Sequence, residues 1–115
     1  MDIPMMDSSE IPLPPEEVRL ISVLAEPYPD GQRLKLRMQV TPFRERPNFE
    51  LRVLNPRGQE VGNLSIIESM EPTIELTTHL RGEVISGEYV VIARLEYPDH
   101  SLSHEMSTEF ALVPG

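Results

Sequence analysis

The chain has 115 residues, 39% of them hydrophobic and 25% charged, which leaves room for one domain with one core and excludes a large multi-domain enzyme. It contains no cysteine, so disulfides, thiolate zinc, iron–sulfur clusters and thiol catalysis are excluded. A net charge of −9 argues against nucleic acid and membrane as partners, because phosphate backbones and anionic lipids both require clustered positive charge.

Residues 1–16 carry neither strand nor helix periodicity, and the run IPLPP fixes φ at its three prolines while removing their backbone donors. This segment is expected to be a flexible, Pro-rich acidic leader, with the folded domain over residues 17–115. Pro12 and Pro15 form a P-x-x-P pattern without a close basic flank, a weak recruitment signal. Acidic residues and prolines stand where a secretory signal has a basic patch and an apolar run. The expected location is therefore cytoplasmic for the chain as it stands, or extracellular or at the cell surface if it belongs to a larger exported protein.

From Glu17 onward, short segments of alternating polarity are separated by turn signals, the pattern of an all-β sandwich. EVRLISVLA begins with Val18 and Leu20 on one face and then shifts to Ile21 and Val23, which predicts a bulge or a change of sheet. In RLKLRMQV, Leu34, Leu36, Met38 and Val40 point one way and Arg33, Lys35, Arg37 and Gln39 the other, as in a strand with one wet face. FELRV buries Phe49, Leu51 and Val53 in the same way. VGNLSII is a weaker strand, and its neighbours Ile66 and Ile67 cannot both face the core unless it bulges; it is the expected exposed edge. TIELTTHL turns Ile74, Leu76, Thr78 and Leu80 inward. YVVIARLEY is nearly continuous and apolar and is expected to lie centrally. HEMSTEFAL turns Met106, Thr108, Phe110 and Leu112 inward. That makes seven strands and no helix longer than two turns.

The connections are turn chemistry. YPDG at residues 28–31 and NPRG at residues 55–58 each place proline second and glycine fourth in a tight turn. YPDH at residues 97–100 repeats the corner without an internal repeat around it. Between residues 31 and 57, seven basic side chains face two acidic ones, giving that stretch +5 and the rest of the chain −14. Outward basic residues paired across strands with acidic ones account for this, and a polarised surface that docks an acidic partner is the sharper alternative.

SGEYVV, residues 86–91, sets a glycine, then a tyrosine, then a core residue at the start of a long apolar strand. It resembles the tyrosine corner of immunoglobulin-like and fibronectin type III-like domains, over about residues 17–113. The resemblance implies a seven-stranded antiparallel immunoglobulin-like β-sandwich in which the Tyr89 hydroxyl bonds back to the backbone. Val91 would stand where antibody domains carry their second cysteine.

Chemistry is sparse. His100 and His104, with Asp99, Glu105 and His79 nearby, have spacing too loose for a metal site, so no metal and no cofactor is expected. The serines sit in no nucleophile elbow, the carboxylates alternate outward, and no glycine-rich phosphate loop exists, so no enzymatic activity is expected. Tyr28, Phe43 and Tyr97 are the candidate loop aromatics for a sugar. The expected function is a non-enzymatic immunoglobulin-like module for protein interaction or structural spacing. Its partner is another protein, or a second copy of the chain, added at the edge bearing Ile66 and Ile67. The alternative is a module binding carbohydrate or a metal ion at the loop ends.

Overall fold

Alternation of apolar and charged side chains builds seven strands: β1 (Leu20–Pro27), β2 (Arg33–Val40), β3 (Asn48–Leu54), β4 (Glu60–Ile66), β5 (Thr73–His79), β6 (Gly87–Tyr97) and β7 (Leu102–Leu112). They come from a computed structural model, which describes residues 11–113. The seven strands pair antiparallel throughout, in two sheets of order β1-β2-β5 and β4-β3-β6-β7 among the described residues. The inward faces of β2, β3 and β6 form the centre of one core, with Leu34, Leu36, Met38, Phe49, Leu51, Val53, Tyr89, Val91, Ala93 and Leu95 all buried. Burying these aliphatic and aromatic side chains stabilises the fold by about 1.5–3 kcal/mol each before entropy is counted.

The hairpins β1–β2, β3–β4 and β6–β7 stay within a sheet, whereas residues 41–47, 67–72 and 80–86 cross between sheets. With all pairs antiparallel, the connections 41–47, 67–72 and 98–101 collect at one end. Residues 28–32, 55–59 and 80–86 collect at the other. At that second end Gly31 (φ +67°) closes the β1–β2 turn, and Asp30 Oδ1 accepts from the backbone N–H groups of Gln32 and Arg33. The Gln32 bond above all, and then the Arg33 side chain, hold the Asp30 carboxyl below its usual range.

β1 and β7 close one flank of the sandwich, where the Leu20 N–H donates to His104 Nδ1 at 3.1 Å. β4 and β5 form the opposite flank. The inward residues of β5, Ile74 and Leu76, are only half-buried, as befits an edge strand on an open side.

Two expectations are corrected. The register of β1 shifts between Leu20 and Ser22, so the bulge is present, but Ile21 is the extra residue and stands 50% exposed instead of facing the core with Val23. Residues 11–16 are not a free leader. Leu13 sits between Pro12 and Pro14 and holds the one N–H in that run; it donates to the Pro42 carbonyl, and the Leu13 carbonyl accepts from Arg44, both at 3.0 Å. Pro15 is buried at the start of the 3-10 turn Pro15–Glu17. Residues 1–10 lie outside the described residues.

Candidate functional site: the loop end and the free β4 edge

At the end where residues 41–47, 67–72 and 98–101 meet, Glu45 is held twice. The Tyr97 hydroxyl donates to its carbonyl at 2.8 Å, and its carboxylate lies 2.8 Å from His100 Nε2. The pair ties the β2–β3 connection to the β6–β7 turn, where Ser101 takes a left-handed φ of +52°. Burial, and then the nearby Glu45 charge, push the Tyr97 phenol up to about 12. A cleft of about 390 Å³ opens here, lined by Arg46, Asn48, Ile67, Glu68, Asp99 and His100 among others.

Tyr97 is therefore not a loop aromatic: it is 4% exposed and belongs to the core. Its position is the last inward residue of the β6 alternation, which runs right up to the proline turn. Of the other two aromatics, Tyr28 has the Arg33 guanidinium 4.4 Å above its ring, and Phe43 is half-buried beside Leu13. The histidines do not converge. His100 pairs with Glu45, His104 Nδ1 accepts from Leu20 and so carries its proton on Nε2 when neutral, and His79 ends β5. Among the described residues, no three His, Asp or Glu side chains gather where an ion would sit.

Tyr89 lies toward the opposite end. Its hydroxyl accepts from the Ile85 N–H and donates to the Ile85 carbonyl, each at 3.1 Å, while its ring stacks on Phe110 at 5.0 Å. That geometry pins the 80–86 connection to the core at Ile85.

Ile66 and Ile67 stand on the β4 flank. Among the described residues, β4 pairs with β3 alone. Its first half is covered: the Arg81 N–H donates to the Val61 carbonyl at 2.8 Å, and Leu80 packs over Gly62 beside the bulge opposite Val53. Among the described residues, no strand lies on the outer side of residues 63–66. Ile66, opposite Phe49, is half-buried, whereas Ile67 is 69% exposed. The chain then turns through Glu68 (φ +49°), whose N–H donates to Asn48 Oδ1 at 2.8 Å, and Ser69, whose N–H donates to the Pro47 carbonyl at 2.9 Å. These bonds staple the turn to β3 and present Met70 at 70% exposure. Met70 lies in no periodic segment, so alternation gave no sign of it. The result is an open groove of about 470 Å³ between the end of β4 and the start of β5, with Ile66, Ile67, Met70 and Ile74 along it.

The basic stretch does not form one surface. Arg33, Lys35 and Arg37 occupy the outer face of β2, and Arg52 the outer face of β3 in the other sheet. Among the described residues, three of the seven are matched locally: Arg33 with Asp30 (3.0 Å), Lys35 with Glu75 (3.0 Å) and Arg52 with Glu60 (2.8 Å). Glu75 raises Lys35, and Arg52 followed by Asn63 lowers Glu60.

No protein-family model matches the chain, and no curated protein sequence matches it.

Proposed function

We propose that the chain is a non-enzymatic protein-interaction module of the immunoglobulin-like or fibronectin type III-like kind, working through the open β4 flank. The fourth strand staying on the sheet of the third, and the Tyr89 bonds to Ile85, support that family reading. The observation that carries the function is the continuity of an unpaired strand edge, residues 63–66, with exposed Ile67 and Met70 on a turn fixed by three hydrogen bonds, Glu68 N–H to Asn48 Oδ1, Ser69 N–H to the Pro47 carbonyl and Ser69 Oγ to the Glu71 carbonyl. Monomeric domains seldom leave such an edge both apolar and open without a use for it. Affinity capture with the full chain and with Ile67→Lys as matched bait tests it. A partner retained by the first and lost by the second, at equal melting temperature, is the expected result; identical captures would rule out this flank.

A second reading, ligand binding, rests on the loop-end cleft beside Glu45 and His100. A ligand that binds only the folded chain adds about 2.7 kcal/mol at 100 times its dissociation constant, so calcium, zinc and monosaccharide titrations followed by thermal shift separate the two readings.

A further inference from the structure

We infer that the occupant of the groove beside β4 is an extended segment of a partner protein in which aliphatic and basic residues alternate. This rests on the interaction reading above and specifies its chemistry. Residues 63–66 offer roughly 14 Å of strand, enough for about four residues of an added strand at ~3.4 Å each. Alternate side chains of that strand would point into the groove, where Ile66 and Ile74 are half-buried and Ile67 and Met70 exposed. Main-chain bonds supply affinity in such an arrangement, and the apolar contacts select side chains.

Charge selects the rest. Every ionisable residue lining the groove is a glutamate: Glu68, Glu71 and Glu75. Glu75 is matched by Lys35, but among the described residues neither Glu68 nor Glu71 makes an ion pair. Glu68 holds a left-handed φ of +49° that asparagine or glycine would adopt at lower cost, and the Asn48 bond fixes where its side chain starts. A second copy is the poorer occupant. Pairing two β4 edges would bring both sets of glutamates together on chains that each carry −9. Lysine or arginine at alternate positions instead meets Glu68 and Glu71 at the rim.

The test uses the full ¹⁵N-labelled chain and four capped eight-residue peptides: alternating Val–Lys, Val–Ser, Val–Glu and Ser–Lys. The Val–Lys peptide is expected to move amides within residues 62–75 and to bind on the order of tenfold tighter than Val–Ser at low salt, the two converging as salt rises. Glu68→Lys with Glu71→Lys should abolish that difference, and the paired glutamine substitutions should reduce it. Ile67→Ser should weaken both valine peptides alike. Equal binding of Val–Lys and Val–Ser in the parent chain would overturn the basic partner while leaving the edge as an interaction surface. Ser–Lys binding as well as Val–Lys would show diffuse charge attraction and overturn the groove. No shift within residues 62–75 with any peptide would overturn both this inference and the reading beneath it. A dimer in sedimentation velocity that Ile67→Ser dissociates would make a second copy the occupant and overturn the partner assigned here.

Discussion

The Tyr89 side chain serves two environments at once, with its ring against Phe110 and its hydroxyl closing both backbone groups of Ile85. Tyr89→Phe keeps the ring and orphans those two groups, so urea denaturation should show a loss of roughly 1–3 kcal/mol. Gly87, two residues earlier, has φ +132°, and a Cβ there would lie 2.9 Å from Pro56 Cγ. At Gly58 (φ +76°) a Cβ would meet nothing within 4 Å. Gly87→Ala should therefore cost clearly more than Gly58→Ala, for which only the backbone penalty of about 1–2 kcal/mol applies. Tyr97 gives a pH signature. Its folded-state value of about 12 lies above the ordinary 10, so the fold favours the neutral phenol. The stability this confers is complete below pH 10 and is lost as pH rises toward 12. The stability difference between the parent and Tyr97→Phe should accordingly hold steady from pH 7 to 9 and shrink above pH 10.

Strands differ in how their edges are managed. β2, β3 and β6 are flanked on both sides, β1 and β7 cover one another, and β4 has a bulge and the Arg81 bond guarding its first half only. Hydrogen exchange should rank accordingly: amides of β2, β3 and β6 slowest, and those of residues 63–67 and of β5 fastest among the strands. Residues 11–19, just before β1, behave as part of the domain. Removing residues 1–16 takes away the Leu13 bridge to residues 42–44 and the buried Pro15, and should lower the unfolding free energy by about 1 kcal/mol or more. Alternation in β2, β3, β5 and β7 was legible because each face meets one medium. Ile21 was misread because a bulge repeats a side; sequence reports that the period breaks, and packing decides which residue is put out. Ile66 and Ile67 were legible as an unavoidable in-and-out pair, but Met70 was not, since only the staples from Asn48 and Pro47 make its turn a rigid part of the same surface.

Across the whole molecule, a net charge of −9 opposes compaction, while the ion pairs on both outer faces are solvent-exposed and worth little individually. Screening should therefore relieve more repulsion than it costs in pairing. Raising sodium chloride from about 0.02 to 0.3 M, across which the Debye length falls through the ~10 Å range, should raise the melting temperature. Binding of the basic peptide should weaken over the same range, because it draws on Glu68 and Glu71. Opposite salt responses of stability and binding would separate the fold's electrostatics from those of the groove.

Sequence alone determined the properties that depend on near neighbours: seven strands, which side chains of β2, β3 and β6 meet the core, the corners at residues 28–31, 55–58 and 97–100, and the position of Tyr89. These follow from a two-residue period and from turn chemistry, both local. Tertiary structure decided what lies beside what. Among the described residues it set β5 against β2 and left β4 with β3 alone, placed Arg33 and Arg52 on opposite outer faces, drew Tyr97 into the core and Leu13 onto residues 42–44. It also joined the end of β4 to the start of β5 across one groove. Those outcomes depend on contacts between segments distant in the chain, whose free energy is settled only when two sheets close over a shared core, and no local period records them.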